Sequence, residues 1–224
     1  MNNGMTGFNP ELVAQTIRRV QSAYENTVNA FFDGMQNKFV NRMSEIWACN
    51  VAVDFFNTVV KEQVESIING PGGDSNRGGI TMVFNSVVDS INSAAITWAN
   101  DTQSEYQSQA LNVITKSLDV SNVRENINGI RGIDLEAVQG ITSQLSDILG
   151  DTTTALNSAI EAVRDSGFVG GAQENNLVNS INVIKSNIES AVEYINSDCQ
   201  MKVKTTVEQY ENTAGRIAQA FAGE

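Results

Sequence analysis

Carboxylates are the only reactive side chains that this sequence carries in large number. The 224 residues include 26 Asp and Glu, 14 Lys and Arg and no His, which gives a formal net charge of -12. Without histidine, acid–base catalysis by imidazole, triads that contain histidine and metal sites with histidine ligands are excluded. The negative charge also argues against nucleic acid and anionic membranes as partners, because both attract basic patches.

The carboxylates are scattered along polar helix faces rather than gathered at one place. Glu62 and Glu65, and again Glu189 and Glu193, lie on such faces. A catalytic pair needs a pocket that pushes the two pKa values apart. The segment 74–76 (Asp-Ser-Asn) lacks the spaced acidic ligands and the closing glutamate of a calcium loop. We therefore expect no catalytic residue, no metal and no cofactor, and we predict that the protein is not an enzyme.

The thiols and the large aromatic side chains follow the apolar pattern of the chain. Cys49 and Cys199 both fall on apolar stripes, which predicts buried, reduced thiols. A disulfide between them is the alternative if the protein is exported. Trp47, Trp98 and Tyr210 lie on or beside the same stripes, and they are candidates for either core packing or an interface with a partner.

Apolar residues recur every three or four positions in the first half of the chain, which predicts helices. Asn9-Pro10-Glu11 supplies a helix cap and first turn, and the stripe that follows predicts one helix, or two nearly collinear ones, over 10–68. Residues 70–79 contain five Gly and one Pro and are predicted to form a loop. A second helix is expected over 80–118, followed by a connector over 119–133.

The second half repeats this organisation. Asp134 is a predicted helix cap, a helix is expected over 135–165, and a glycine-containing turn follows. The helix expected over 172–221 has the most regular apolar seam in the chain, with alternating steps of four and three residues, as in a coiled coil. No strand pattern competes with the helices.

Together these patterns predict an all-α protein made of two long antiparallel helical hairpins that form an elongated bundle with coiled-coil-like packing. The predicted parts are an N-terminal hairpin over 1–133 and a C-terminal hairpin over 134–224. No run of 18 apolar residues is present to span a bilayer, and the N-terminus has neither the basic nor the apolar region of a signal peptide.

Residues 134–224 resemble the WXG family of small helical-hairpin proteins that type VII (ESX-type) secretion systems export. Phe168-Val169-Gly170 stands where that family has Trp-X-Gly, at the turn between two long helices. The family's export signal, Tyr-x-x-x-Asp/Glu on the second helix, is matched by Tyr194 and Asp198. Tyr210 has the better position for such a signal but lacks the acidic residue four positions later.

The resemblance implies a non-enzymatic protein that is exported without a cleavable signal peptide. It would act through protein–protein interaction, as a substrate or partner-binding component of type VII secretion, or associate with itself through its helical seams. The alternative hypothesis is a structural or assembly protein of a phage particle or a surface filament, which would be cytoplasmic or virion-associated. The sequence favours neither a nucleic-acid partner nor a membrane span.

Overall fold

A computed structural model describes residues 9–73, 78–164 and 172–222 of the chain, and 79% of these residues are helical. The prediction of an all-α protein is therefore confirmed. In chain order, the elements are α1 (Pro10–Asp33), a π-helical segment (Gly34–Val40), α2 (Asn41–Met43), β1 (Trp47–Ala48), α3 (Asn50–Asp54), a second π-helical segment (Phe55–Val60), α4 (Lys61–Asn69), a 3₁₀ turn (Pro71–Gly73), α5 (Gly79–Asp101), β2 (Gly132–Ile133), α6 (Leu135–Arg164) and α7 (Ala172–Ala222).

The predicted helix caps are present. The Asn9 side-chain oxygen accepts hydrogen bonds from the backbone N–H groups of Glu11 and Leu12, at 3.0 and 3.2 Å. The Asp134 carboxylate accepts one from the N–H of Ala137 at 3.0 Å. These bonds satisfy donors that the first turn of a helix leaves without a partner. As a result, α1 and α6 begin where the sequence predicts.

The helix predicted over 10–68 is interrupted at Trp47, which corrects the expectation of one continuous helix and leaves the alternative of two nearly collinear helices a prediction. Residues 44–46 form a turn, and β1 pairs antiparallel with β2, with Trp47 opposite Ile133. The N–H of Asp134 donates to the carbonyl of Ile46 at 3.0 Å and extends this pairing. The apolar spacing continues through the break because residues on both sides of it are buried, so periodicity alone does not reveal it.

Gly34 opens the first π-helical segment and lies against α6. A Cβ atom at this position would stand 2.8 Å from Cγ2 of Ile148, closer than side chains approach one another. The sequence suggests only a small propensity cost, about 1 kcal/mol, for a glycine inside a helix. The structure shows that the missing side chain is what allows Ile148 to approach the backbone here.

Helix α5 ends at Asp101, so the helix predicted over 80–118 is too long. Residues 104–120 contain no helix, turn or bend, and we call them the clasped segment. The Gln21 amide donates to the carbonyl of Asn112 at 3.0 Å and accepts from its N–H at 2.8 Å. The Asn92 amide bonds both backbone groups of Gln109 in the same way, at 2.7 and 3.1 Å.

Other polar side chains hold the rest of the clasped segment. The Tyr24 hydroxyl bonds the N–H and the carbonyl of Ile114, at 3.0 and 3.2 Å, and the Asn69 amide donates to the carbonyl of Lys116 at 2.8 Å. Side chains on helices thus replace the neighbouring strand that an extended chain normally needs for its hydrogen bonds. This replacement allows an extended segment where the spacing of apolar residues suggests a helix.

The chain divides into two compact units. Unit 1 combines Met1–Phe31, Glu65–Lys116 and Gly150–Ile188, and unit 2 combines Phe32–Val64, Ser117–Leu149 and Glu189–Glu224. The fully buried side chains of unit 1 include Tyr24 and Phe84, whose rings lie 5.5 Å apart. Each unit draws on both predicted hairpins. The two-hairpin arrangement and the boundary between 1–133 and 134–224 stay predictions.

The core of unit 2 is a cluster of aromatic rings next to β1. Trp47 lies 5.8 Å from Phe55 and 6.2 Å from Phe56, and Phe39 lies 5.7 Å from Phe56. Cys49 and Cys199, the two thiols of this unit, are both buried and free. The prediction of buried, reduced cysteines therefore agrees with the structure.

Candidate protein-interaction surface

Helix α7 changes its environment abruptly after Thr206. Before that point one face is packed: Ile188 and Cys199 are fully buried and Thr206 is 1% exposed. From Glu208 to Phe221 every residue is exposed. At 1.5 Å per residue, the exposed part of the helix is roughly 20 Å long.

The exposed part of α7 carries an apolar stripe. Tyr210, Ala214, Ile217 and Phe221 follow one another at steps of four, three and four residues, so they share one helix face. We call them the C-terminal stripe. Tyr210 is 37% exposed, Ile217 52% and Phe221 76%. Large apolar side chains that share an exposed face mark an interaction site more often than scattered ones do.

The stripe is uncovered because α6 is too short to reach it. Helix α6 has 30 residues and α7 has 51. The two helices run antiparallel: Arg164 at the end of α6 lies 3.8 Å from Glu174 near the start of α7. At the opposite end, Leu135 begins α6 and lines a groove together with Val207 of α7. The groove follows α7 as far as Glu211, so the residues of α7 after Glu211 continue past the first residue of α6.

The groove between α6 and α7 in unit 2 joins the base of the C-terminal stripe. It encloses about 630 Å³, and Leu135, Val138, Val203 and Val207 supply its apolar walls. Leu135 is 44% exposed. Lys204, Glu208 and Glu211 also line the groove, and the Lys204 ammonium lies 3.8 Å from the Glu208 carboxylate. The groove is therefore apolar, with an acidic excess among its charged residues.

The base of the stripe is held against the residues that follow β1. The Cys49 thiol lies 3.8 Å from the Thr206 hydroxyl, one helical turn before Tyr210. Partial burial raises the pKa of Tyr210, and the nearby Cys49 adds to this rise while Arg131 opposes it. Tyr210 thus stands at the junction of the packed and the exposed parts of α7.

The residues matched to an export signal do not share an exposed surface. Tyr194 is 52% exposed, as a signal residue should be. Asp198 is 9% exposed, and its Oδ2 atom is buried without a hydrogen-bond partner among the described residues. Asp198 adjoins the packed face that Cys199 occupies. The assignment of Tyr194 and Asp198 to an export signal stays a prediction.

The remaining predicted site residues are found in different settings. Trp47 is fully buried in unit 2 and its ring nitrogen has no hydrogen-bond partner among the described residues, so it presents no surface to a partner. Trp98 lies in unit 1 and is 36% exposed. Tyr210 belongs to the C-terminal stripe. The turn motif of Phe168, Val169 and Gly170 lies outside the described residues.

Sequence reasoning missed the groove residues Leu135 and Val138. The unequal lengths of the two predicted helices, 135–165 and 172–221, could have indicated that the residues where the shorter helix begins are exposed. Two antiparallel helices that meet at a short turn cover each other only over the length of the shorter one. The end of the longer helix, and the groove where the shorter one begins, are therefore exposed by geometry.

Comparison with protein-family models, with curated proteins and with solved structures finds no match to this chain. In the part of the chain that the structure describes, no three His, Cys, Asp or Glu residues are grouped as metal ligands, and no helix has the length and hydropathy of a membrane span. The C-terminal stripe and the groove are therefore the surfaces that bear on function.

Proposed function

We propose that this protein acts through protein–protein interaction and that a partner covers the C-terminal stripe. One observation carries the proposal: α7 continues as an exposed helix past the point where α6 begins, and it presents Tyr210, Ile217 and Phe221 on one face. Exposure of these apolar side chains to water is unfavourable. A partner helix that buries them would gain a free energy of roughly 25 cal/mol for each Å² of apolar surface removed from water. Helix-in-groove binding uses anchors at this spacing.

The resemblance to WXG-type proteins gives this interaction a biological setting. We propose that the chain is a substrate or partner-binding component of a type VII (ESX-like) secretion system, built from two antiparallel helical hairpins and exported without a cleavable signal peptide. In that setting the end of the last helix is the part that the export machinery or a co-exported partner would contact. The exposed stripe lies in that region.

The test is export from the native host by two double variants that differ only in the helix face they alter. Ile217→Asp with Phe221→Asp places two charges on the C-terminal stripe. Asn212→Asp with Gln219→Asp places the same two charges on the opposite face of the same exposed helix. Both variants should fold like the wild type, because none of the four residues is packed.

We expect the first double variant to be retained in the cell and the second to reach the culture medium at the wild-type level. Equal export of both variants would show that the stripe is not contacted during export. If the wild-type protein itself never leaves the cell, the secretion setting is wrong and assembly into a particle or filament becomes the leading hypothesis. Tyr194→Ala, in the same assay, tests whether the exposed tyrosine contributes to export without Asp198.

A further inference from the structure

The clasped segment has a second edge that faces away from the helices. Its backbone is bonded inward at Asn112, Ile114 and Lys116, which is the period of two of a β-strand. In such a strand, the N–H and C=O groups of the alternate residues point the opposite way. The backbone groups of Val113 and Thr115 therefore point outward.

The outward N–H and C=O groups of Val113 and Thr115 make no hydrogen bond within the part of the chain that the structure describes. Val113 is 45% exposed, and Thr115 is exposed as well. Two N–H and C=O pairs in a row along an exposed strand form a template on which another strand can pair.

The residues at this edge favour pairing rather than prevent it. Val113-Ile114-Thr115 is a run of β-branched residues, the type that strands prefer. Proteins protect exposed edges with prolines, bulges, charged side chains (lysine above all) or very short strands. Residues 111–117 contain no proline and one charged residue, Lys116. What protects this edge is therefore one lysine and its short length, which make the expected pairing weak but do not prevent it.

We propose that a second copy of the chain pairs with this edge as an antiparallel strand, with the two-fold axis at Ile114. In that register, Val113 faces the partner's Thr115, and Thr115 faces the partner's Val113. Each outward N–H then donates to an outward carbonyl of the other copy, and none of these groups on Val113 or Thr115 stays unpaired. The surface is separate from the C-terminal stripe and belongs to unit 1.

Self-complementarity favours a second copy over an unrelated strand. The same two residues supply all the donors and all the acceptors, so the interface is closed and symmetric. Lys116 faces the partner's Asn112, so no like charges stand opposite each other in the strand pair. The short edge predicts weak, concentration-dependent association. Because each copy carries a net charge of -12, added salt should strengthen it by screening the repulsion.

The first experiment measures the monomer–dimer equilibrium of the full chain by sedimentation over a range of protein and salt concentrations. Val113→Pro with Thr115→Pro removes both outward N–H groups, while the extended backbone that proline prefers is kept. Val113→Ala with Thr115→Ala is the matched control, since it shortens the same side chains and keeps the N–H groups. We expect the proline variant to lose at least about 100-fold in association constant and the alanine variant to dimerise.

The second experiment tests the register and does not depend on proline. Opposite residues of a pair without direct hydrogen bonds have Cα atoms about 4.5 Å apart, within the range that a disulfide bridges. Under mild oxidation, Ile114→Cys should therefore form a covalent dimer. Asn112→Cys should not, because the two copies of residue 112 lie at opposite ends of the pairing. A wild-type chain that stays monomeric at every concentration and salt level, or equal cross-linking of the two cysteine variants, would overturn the proposal.

Discussion

The two parts of α7 differ in burial although they follow the same apolar spacing. Between Leu177 and Thr206, one face of the helix is packed, and between Glu208 and Phe221 every residue is exposed. The apolar steps of three and four residues continue across the boundary. The spacing therefore predicts the helix and its apolar face, but whether that face is covered depends on how far the neighbouring helix extends.

The largest expected difference between the two parts comes from placing a charge on the apolar face. Ile188→Asp buries an unpaired carboxylate at a fully buried position and should lower the free energy of unfolding by about 4 kcal/mol or more. Ile217→Asp makes the same change on the exposed part and should leave that free energy unchanged within about 0.5 kcal/mol. Urea denaturation measures both. Equal losses would mean that the two parts are packed alike.

Asp198 offers a smaller test inside the packed part. The residue is 9% exposed, and its buried Oδ2 atom has no hydrogen-bond partner among the described residues. Because an uncompensated buried polar group is costly, Asp198→Ala should raise the free energy of unfolding by about 1–2 kcal/mol. Glu193→Ala removes an exposed carboxylate from the same helix and should change it by less than about 0.5 kcal/mol. A loss of stability in Asp198→Ala would show that this carboxylate has a favourable partner.

The reactivity of thiols should also distinguish the two parts of α7. Burial, and secondarily the charge of Asp198, raise the pKa of Cys199 from its ordinary value of 9.0 to about 12. The thiolate is the reactive form, so Cys199 should resist iodoacetamide at pH 8. In a Cys49→Ala background, a cysteine introduced by Ile217→Cys should react much faster. Similar rates at the two positions would contradict the burial of Cys199.

The same pKa shift predicts how stability depends on alkaline pH. Since the folded state holds the proton of Cys199 more tightly than the unfolded chain, its contribution to stability is complete below pH 9 and is lost as the pH rises towards 12. In Cys199→Ala, the free energy of unfolding should therefore fall less steeply as the pH rises. Urea denaturation of both proteins at several pH values between 8 and 11 measures this difference.

The smallest expected effect concerns Gly215 in the exposed part. No atom lies within 4 Å of a Cβ built at this position, in contrast to Gly34, where Ile148 would collide with it. Gly215→Ala should therefore stabilise the helix locally by about 1 kcal/mol and leave the free energy of global unfolding unchanged. Hydrogen exchange should slow for the amides around residue 215 and stay unchanged around residue 188. Faster exchange at residue 215 would contradict the expected helix.

Local signals in the sequence were enough to predict where several helices begin and end. Asn9 and Asp134 cap α1 and α6 as predicted. Helix α7 ends at Ala222, one residue after the predicted end at 221. These predictions succeed because capping and periodicity depend on neighbours along the chain. The break at Trp47 was not predictable in this way, because its strand partner, Ile133, lies far away in the sequence.

The clasped segment and the candidate site also depend on contacts between residues distant in sequence, which local sequence patterns do not predict. Residues 104–120 are extended because Gln21, Tyr24 and Asn92 bond their backbone, and these side chains come from helices distant in sequence. The burial of Asp198 and the exposure of Tyr194 depend on which side of α7 is covered. The sequence places Tyr210 on the apolar stripe, but its exposure depends on where α6 begins, which is a property of the two helices together.

The way in which α1 and α4 hold the clasped segment suggests a use as an engineering scaffold. The side chains of Gln21, Tyr24 and Asn69 bond peptide groups, which every residue except proline carries in full. The identity of the exposed residues between the buried anchors Leu111 and Leu118 is therefore not needed for these bonds. A foreign epitope of the same length, grafted between those two leucines, would be displayed as an extended strand on a helical support.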